Sequence, residues 1–406
     1  MYTESTAGRN SAKLAKIRTS LTLQLKEIAS SRESQGLPVY DFGLGETKGD
    51  LAEHLRAAGE DAFRNQDTMY ADPAGLPELR DAVLNWLGQA GSYRRENVII
   101  TAGAKPSIFN VFLAVCNPGD VMLMEGAPWV SYAPLAYCTY TTPIMVLPLE
   151  KKEKNFLKVT PEDLLRNIKL RPHARLFLLN SPCNPTGQLY SAQEIDTLLN
   201  ICVEHEMYFV IDRLYWRIVF DGESYPEPRI DDKTKDWLVQ IDGLSKNFRR
   251  TGGLRMGWTV GPADLIKQCI SLQSHYTSGP AVPMQRVAQA AITADYDDEM
   301  VRDLEQKRNL LHEGARDIPH VNIFPTPAAF YSFWDVRDAI GMKTPQGELL
   351  ASSDDVASYL MNSEGVITAS GTGFFQDGYL RLSFHNSEEV ITQGMAAARR
   401  AFEALS

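Results

Sequence analysis

Between residues 97 and 262 the chain alternates short apolar or β-branched runs with stretches of helical character, and this alternation constrains the fold more than any other feature. The pattern is typical of strand–helix–strand crossover units, which build a mainly parallel sheet with helices on both faces. The candidate strands are residues 97–100, 121–124, 144–147, 176–179, 209–211, 238–241 and 258–260. We therefore predict an α/β fold whose large domain has three layers, α/β/α, around a mainly parallel seven-stranded sheet.

The chain beyond residue 262 predicts a second, smaller unit. Its candidate strands are residues 330–334, 365–368 and 379–384, and residues 388–405 have the pattern of a closing helix. A chain of 406 residues with 44% apolar content can bury a core of this size. We place the N-terminal arm and part of the small domain at 1–50, the large domain at 51–295, and the rest of this α+β small domain at 296–406.

Composition excludes several classes of partner. The formal net charge of -10 argues against nucleic acid or an anionic membrane as the main partner. No signal-type apolar segment or membrane span is visible in the sequence. The five cysteines have no metal-binding spacing, and their odd number fits the reducing cytoplasm, where we expect the protein to work without a metal.

The surroundings of Lys246 in the sequence are those expected of a nucleophilic lysine. Residues 237–241 predict a strand, Gly243 breaks it, and Lys246 follows on a loop, where its amine could attack the carbonyl of a cofactor. Hydroxyl and guanidinium groups that could hold a phosphate lie nearby: Ser245, Arg249, Arg250 and Arg255. These residues favour pyridoxal phosphate as cofactor, although a solvated surface loop explains them equally well when they are taken alone.

Other polar residues follow the predicted strands, at the edge where open parallel sheets bind ligands. The small-residue turn at 101–107 opens a helix and suits a phosphate, and Trp129 could lie flat on a pyridine ring or serve as a core or lid residue. The double-proline turn at 180–187 would fix the Asn184 amide as a donor. Asp212 ends a strand, and taken alone it would be a helix cap or a salt-bridge partner of Arg213.

Arg381 stands alone among apolar residues within a predicted strand. A guanidinium in that position needs a partner, which could be a substrate carboxylate or a structural acid. The glycine turn that contains Gly45 lets the backbone approach a ligand, but it lacks the third glycine of a dinucleotide fingerprint. Tyr70, taken alone, is only an aromatic residue in a loop.

These elements together resemble the class I and II aminotransferases, the fold type I family of pyridoxal phosphate enzymes, and most of all their aspartate aminotransferase subgroup. The likeness spans nearly the whole chain and rests on co-linear motifs: residues 43–46, 70–80, 180–187, 245–257 and 379–384. It implies an aminotransferase that moves an amino group between an L-amino acid and a 2-oxo acid. The resemblance gives each site residue an expected role.

For the cofactor, the resemblance implies that Lys246 binds the aldehyde and then carries protons, and that Asp212 pairs with the pyridinium nitrogen. It further implies that Trp129 stacks on the ring, that Asn184 and Tyr215 hydrogen-bond the ring hydroxyl, and that the phosphate is held by Gly103, Ala104, Ser245 and Arg255. Tyr70 would reach the phosphate of the neighbouring subunit, which implies a homodimer with shared active sites.

For the substrate, the resemblance implies that Arg381 binds the α-carboxylate and that Gly45 lies beside it. Ser20, Thr22 and Lys105 would lie near the distal end of the substrate, where they would form a positive, hydroxyl-lined pocket. We therefore expect glutamate or aspartate as the amino donor.

The sequence departs from the family pattern at Thr47-Lys48, Arg213, Arg249-Arg250 and His385, and one extra residue precedes Arg255. These departures leave open a second reading, in which the same carbanion is diverted to elimination, replacement, cyclisation or carbon–carbon bond formation. A non-catalytic sensor related to transcription regulators is a third reading. It is disfavoured because no segment remains to supply a basic DNA-binding module.

Overall fold

The computed structural model describes residues 21–149, 157–294 and 298–406. Its helices are α1 (Leu21–Ser34), α2 (Glu53–Arg64), α3 (Pro77–Trp86), α4 (Ala104–Val115), α5 (Tyr132–Cys138), α6 (Pro161–Leu170), α7 (Ala192–Glu204), α8 (Leu244–Asn247), α9 (Ala263–Tyr276), α10 (Val282–Thr293), α11 (Glu299–Ala315), α12 (Ser353–Glu364) and α13 (Glu388–Glu403). Its strands are β1 (Tyr40–Asp41), β2 (Val98–Thr101), β3 (Val121–Glu125), β4 (Thr142–Val146), β5 (Ala174–Asn180), β6 (Tyr208–Asp212), β7 (Leu238–Gly243), β8 (Gly257–Val260), β9 (Asn322–Ile323), β10 (Tyr331–Asp335), β11 (Val366–Ile367), β12 (Ala369–Ser370) and β13 (Tyr379–Ser383).

The central sheet of the described chain has seven strands in the order β2-β8-β7-β6-β5-β3-β4. The strands from β3 to β7 run parallel, and β8 is antiparallel to both of its neighbours. Each predicted run between residues 97 and 260 forms one of these strands, so the predicted α/β fold is confirmed. The strands are buried almost throughout, and for that reason they appear in the sequence as apolar runs rather than as an alternation.

The strand before the nucleophilic lysine extends further than predicted. Gly243 does not break it but is the last residue of β7 and pairs with Gly257 in an extended conformation. Lys246 accordingly lies on the one-turn helix α8 and not on a loop, which corrects the sequence prediction. The short connection holds the lysine directly above the carboxyl end of the sheet.

A smaller antiparallel sheet, ordered β12-β13-β10-β9, lies beside a parallel pair formed by β1 and β11. Tyr40 pairs with Val366, so the N-terminal segment joins the strands of the C-terminal part of the chain. Large apolar side chains such as Phe42 and Trp334 are fully buried in the core of this part. The domain boundaries at residues 50 and 295 stay predictions.

Local signals fix where several helices begin. Ser191 and Glu194 form a reciprocal capping box at the start of α7, and Thr160 and Asp163 do the same for α6. Pro77 occupies the first turn of α3, which begins where the sequence predicts a turn feeding a helix. Within the described ranges, no helix has both the length and the apolar character needed to span a bilayer.

Candidate active site

A cavity of about 490 Å³ opens at the carboxyl edge of the central sheet, bounded on its other side by β10, β13 and the loop after β1. Its lining combines cationic, acidic, amide and aromatic side chains with backbone: Leu44, Gly45, Glu46, Ala104, Lys105, Trp129, Tyr132, Asn180, Asn184, Asp212, Leu214, Tyr215, Ser245, Lys246, Gly252, Arg255, Tyr331 and Arg381. Most of the residues predicted from the sequence therefore meet in one place.

Lys246 projects into this cavity from α8, and its amine donates a hydrogen bond to the carbonyl of Gly45. The turn beneath it is held by the Thr251 hydroxyl, which donates to the Leu244 carbonyl at 2.7 Å, and by Asn247, whose amide donates to the Gly243 carbonyl at 2.9 Å. Desolvation in the cavity lowers the pKa of Lys246 to about 8. With this pKa roughly a tenth of the amine is neutral at pH 7 and about half at pH 8, and the neutral form is the one that a nucleophile or proton acceptor requires.

The positive charges that share the cavity act on Lys246 in the same direction. Arg381, Arg255 and Lys105 each lower the pKa of Lys246, and the Glu46 carboxylate opposes them. Because desolvation is the largest cause, the shift depends mainly on how water is excluded from the cavity.

Asp212 lies at the end of β6, almost fully buried. Its carboxylate accepts a hydrogen bond of 2.7 Å from the Tyr132 hydroxyl and one of 3.2 Å from the Leu214 backbone amide. Burial raises the pKa of Asp212 to about 6. The ion pair with its neighbour that the sequence allowed does not form, because Arg213 pairs with Glu227 instead, at 2.6 Å.

Arg381 lies on β13 with its guanidinium buried. One Nη donates to the Asn184 carbonyl oxygen at 3.0 Å, the other donates to the Gly43 backbone carbonyl, and Nε has no partner. Within the described residues, no carboxylate forms an ion pair with Arg381, so the structural acid that the sequence left open is not seen there. A buried guanidinium with an unpaired donor suits an incoming carboxylate.

Asn184 and Tyr215 are brought together behind the cavity, with the Asn184 amide donating to the Tyr215 hydroxyl at 3.3 Å. Both side chains are buried, and both line the cavity. The Asn184 oxygen also accepts from Arg381, so Asn184 connects that guanidinium to the Tyr215 hydroxyl.

At the opposite end of the cavity, Gly103 precedes the N-terminus of α4 with a φ of 96°. A Cβ at Gly103 would overlap the Arg255 guanidinium, so the glycine makes room for that cation beside the free amides of the helix. Ala104, Ser245 and Arg255 line the cavity here, and Arg255 itself adopts a left-handed conformation with φ 56°. This arrangement of amides, hydroxyl and guanidinium is chemically suited to a phosphate.

Lys105 and Trp129 line the same cavity. The Lys105 amine lies 4.9 Å from the centre of the Trp129 ring, and the indole also packs edge-on against Tyr132. Desolvation lowers the pKa of Lys105, and the charge of Arg255 adds to the effect.

The structure does not place every predicted residue in the cavity. Tyr70 is 98% exposed on the loop before α3, away from the lining of its own cavity. Ser20 lies outside the described residues, and Thr22 lies on α1 at a position whose side chain is likewise outside the description. The roles of these three residues stay predictions.

Sequence reasoning gave no role to seven residues that line the cavity, and two of these are tyrosines, Tyr132 and Tyr331. Tyr132 follows the strand β3 three residues after Trp129, so its place beyond a strand end was a usable signal. Tyr331 begins a strand of the small sheet, and only the pairing of that strand with β13 shows that it approaches Arg381.

The unusual residues of the sequence lie outside the cavity lining. Arg213 is buried between the rings of Trp216 and Tyr225 while it pairs with Glu227. His385 is buried, with its ring nitrogen 2.7 Å from the Ser383 hydroxyl, and burial lowers its pKa to about 3. The remaining departures are held by local contacts: Thr47 to Phe248, Lys48 to Asn386, Arg249 to Asp303 and Arg250 to Gly49. They alter the surroundings of the cavity and not its lining.

Comparison with known proteins places this geometry in a family. Residues 38–397 match the model of aminotransferase class I and II. The chain is 28% identical to the aspartate aminotransferase of Rhizobium meliloti (strain 1021), with 97% of this chain and 96% of the relative covered. It is 29% identical to the aspartate/prephenate aminotransferase of Thermus thermophilus, with 95% and 96% covered.

Solved structures show the same likeness. The crystal structure of the aspartate aminotransferase from Rhizobium meliloti superposes with a TM-score of 0.92 at 28% identity, covering 98% of this chain and 99% of that one. The Thermus thermophilus aspartate aminotransferase with maleate gives a TM-score of 0.86 at 28% identity, covering 97% and 99%.

Proposed function

The chain belongs to the class I and II aminotransferases, which are pyridoxal-phosphate-dependent enzymes, and from that premise we propose that its amino donor is an acidic L-amino acid, glutamate or aspartate. The enzyme moves an amino group between an L-amino acid and a 2-oxo acid. The observation that carries the choice of donor is the presence of two separate cations, Arg381 and Lys105, in the lining of one cavity.

The residues of the cavity fit pyridoxal phosphate. The buried Asp212 carboxylate lacks a cationic partner within the described chain, and a protonated ring nitrogen would supply one. The Arg255 side chain packs over Gly103 beside the start of α4, which suits a phosphate. When bound, the cofactor supplies an aldehyde and a ring that accepts the electrons released as the α-proton leaves.

We assign the chemical work of the chain as follows. Lys246, whose lowered pKa leaves its amine partly neutral, attaches the cofactor and then carries the proton between the substrate α-carbon and the cofactor. Asp212 would keep the ring nitrogen protonated, and Asn184 and Tyr215 would offer donors to the ring oxygen. Trp129 covers the ring, and Ala104, Ser245 and Arg255 hold the phosphate.

The substrate would lie between the two cations. The α-carboxylate would bind the Arg381 guanidinium, which lines the cavity together with the Gly45 backbone. Lys105 projects into the cavity near Trp129 and offers its ammonium group to a second carboxylate. Ser20 and Thr22 would add hydroxyl groups at that distal end. A dicarboxylic amino acid can form ion pairs with both cations, whereas a neutral amino acid can pair only with Arg381.

Replacing Lys105 with alanine is expected to lower kcat/KM for the acidic donor by on the order of ten- to a hundredfold, the scale of one lost charged hydrogen bond. Neutral amino acids should be affected little, because they have no distal carboxylate. The measurement follows the absorbance of the bound cofactor while each amino acid is added under single-turnover conditions, and Lys48→Ala, a lysine outside the cavity, serves as control.

Equal losses for acidic and neutral donors would show that Lys105 serves the fold or the phosphate. If neither glutamate nor aspartate converts the wild-type cofactor to its amine form, the proposed donor is wrong. In that case the reading with a diverted carbanion is favoured.

We also propose that the enzyme is a cytoplasmic homodimer with shared active sites. Tyr70 and the adjacent Met69 are 98% and 84% exposed in the single chain, which is unusual for large apolar side chains and suits a contact with a second subunit. The described cysteines are all free thiols, as in proteins of a reducing compartment.

Mixing Tyr70→Phe subunits with Lys246→Ala subunits should restore activity in one of the two sites of each mixed dimer. That site combines an intact lysine from one subunit with an intact tyrosine from the other. Tyr70→Phe alone should weaken cofactor binding by about tenfold, as expected for one hydrogen bond to a charged group, so the mixture is assayed at a cofactor concentration that leaves Tyr70→Phe subunits on their own mostly empty. A strictly monomeric enzyme in sedimentation experiments would rule out the shared site.

A further inference from the structure

Four side chains form a closed ring of contacts at the inner wall of the cavity. Arg381 donates to the Asn184 oxygen at 3.0 Å, and the Asn184 amide donates to the Tyr215 hydroxyl at 3.3 Å. The Tyr215 and Tyr331 hydroxyls lie 3.0 Å apart, and the Tyr331 ring returns to Arg381, with 4.6 Å between the guanidinium carbon and the ring centre. Tyr331 is the member of this ring to which the proposed function gives no role.

The pairing of β10 with β13 explains why Tyr331 lies there. Tyr331 is opposite Ser383 and Phe333 is opposite Arg381, so Tyr331 and Arg381 are diagonal neighbours on one face of the sheet. The Tyr331 hydroxyl occupies the space in which a Cβ of Gly45 would stand. Any side chain at position 45 would therefore displace this hydroxyl from Tyr215.

The contacts also limit which way the hydroxyl protons can point. Tyr215 has one proton to donate, and its oxygen already accepts from Asn184. If Tyr215 donated to Tyr331, no proton would be left for a ligand in the cavity. If Tyr331 is the donor, the Tyr215 proton is free to point into the cavity.

The stacked cation decides between these two arrangements. A guanidinium over an aromatic ring draws electron density from it, and this makes the Tyr331 hydroxyl the better donor of the pair. Within the described residues no cation is stacked on the Tyr215 ring, whose aromatic contacts are with Phe330 and Tyr331. A hydroxyl that accepts two hydrogen bonds also becomes a stronger donor itself.

We propose that Tyr331 is a positioning residue for transamination: its hydroxyl donates to Tyr215 and so directs the Tyr215 proton to the cofactor's ring oxygen, and its ring holds Arg381 for the substrate carboxylate. The proposal rests on the proposed function, because it takes the cavity to be the cofactor site. It also connects the two ends of the site. A carboxylate bound to Arg381 offsets the positive charge over the Tyr331 ring and so weakens the hydrogen bond that Tyr331 donates to Tyr215. The stabilisation of the ring oxygen by Tyr215 therefore changes when substrate binds.

Tyr331→Phe removes only the hydroxyl and is tested in the cofactor-loaded enzyme without amino acid. The pH at which the absorbance of the bound cofactor titrates should rise by about 0.3 to 1 pH unit, the scale of one neutral hydrogen bond, since Tyr215 then stabilises the negative ring oxygen less well. Affinity for succinate, an unreactive dicarboxylate, should stay within about twofold because the ring over Arg381 remains. Tyr331→Leu, which removes the ring as well, should weaken succinate binding by on the order of tenfold.

A double-variant cycle separates this role from a general loss of packing. If Tyr331 acts through Tyr215, the shift caused by Tyr331→Phe should vanish in a Tyr215→Phe background. Tyr359→Phe is the matched control, because the Tyr359 hydroxyl is also buried but donates to the Ala401 carbonyl at 2.9 Å, and it should leave the titration unchanged. An unshifted titration in Tyr331→Phe would overturn the proposal, and so would the same shift in the control or in the Tyr215→Phe background.

The outcome is independent of the donor experiment. The titration contains no amino acid, so its result does not depend on the donor. If wild type fails to convert glutamate and aspartate, only the proposed donor is refuted. Conversely, normal conversion by wild type together with an unshifted titration in Tyr331→Phe refutes the role of Tyr331 alone.

Discussion

Lys246→Ala should abolish transamination and the covalent attachment of the cofactor together. Loss of the positioned base alone removes roughly 10²- to 10⁴-fold in rate, and loss of the nucleophile adds to this. The structure supports a single lysine in both roles, because Lys246 lies on the one-turn helix above the sheet, whereas Lys105 lies beside Trp129. Treatment with borohydride followed by peptide mapping should locate the cofactor on Lys246 in wild type and find none fixed in the variant.

Lys48→Ala is the control for this experiment, since the Lys48 amine bonds Asn386 at 2.9 Å and lies outside the cavity lining. It should retain both the borohydride label and turnover. A reducible cofactor linkage that persists in Lys246→Ala would contradict the assignment.

The pH dependence of cofactor capture gives a second test of Lys246. Its pKa is lowered to about 8 by desolvation, so the neutral amine that attacks the aldehyde accumulates as pH rises through 8. The rate at which the cofactor-free protein takes up pyridoxal phosphate should therefore increase up to about pH 8 and then level off. An amine with the ordinary lysine pKa would keep gaining reactivity up to about pH 10.

The sequence was sufficient to predict the large sheet because its strands are buried on both faces and leave continuous apolar runs. Ligands bind at the carboxyl edge of such a sheet. Asn184 and Asp212 could therefore be predicted as site residues, because Asn184 follows the end of β5 and Asp212 is the last residue of β6. For Lys246 the prediction located the residue but not its helix, since Gly243 continues the strand through its pairing with Gly257.

What the sequence could not predict depends on contacts between distant segments. Tyr331 approaches Arg381 only because β10 and β13 pair in one particular register, and it meets Tyr215 only because the small sheet packs over the end of β6. Tyr132 reaches Asp212 across 80 positions of sequence. No local pattern carries such information, because propensity and periodicity describe a segment and not its partner.

The residues that depart from the family pattern show that an unusual residue in a motif need not change the site. Arg213 was one of the departures that left the diverted-carbanion reading open, but its guanidinium turns to Glu227 and to the rings of Trp216 and Tyr225. Arg213 directly follows the end of β6 and its side chain lies outside the cavity lining, so a neighbour of Asp212 need not share its surroundings.

Asp212→Ala should leave the cofactor bound through its phosphate and through Lys246 but slow removal of the α-proton by on the order of 10²- to 10⁴-fold, the range expected when a buried charge loses its partner. The Asp212 carboxylate keeps the ring nitrogen protonated, and without it the ring accepts electrons poorly. Single-turnover conversion of the cofactor by the donor measures this step, and the absorbance of the bound cofactor before addition shows that the site is still loaded. A near-normal rate would mean that Asp212 does not pair with the nitrogen.

Stability offers a check on Asp212 that does not involve turnover. Its pKa in the folded protein is raised from 3.8 to about 6 by burial, so between these values the unfolded chain binds fewer protons than the folded one. The cofactor-free protein should therefore lose stability as pH rises from about 4 to about 6, and the loss persists above pH 6. A protonated ring nitrogen offsets this cost, so the cofactor should raise Tm more in wild type than in Asp212→Ala above pH 6.

Tyr132→Phe separates the charge of Asp212 from its orientation. Tyr132 donates to Asp212 at 2.7 Å and thereby favours the ionised carboxylate, so its loss should raise the pKa of Asp212 further. The single-turnover rate in Tyr132→Phe should therefore fall less than in Asp212→Ala at pH 8, because the carboxylate and its charge remain. If the two variants lost activity equally at every pH, the carboxylate would be acting through its placement by Tyr132 and not through its charge.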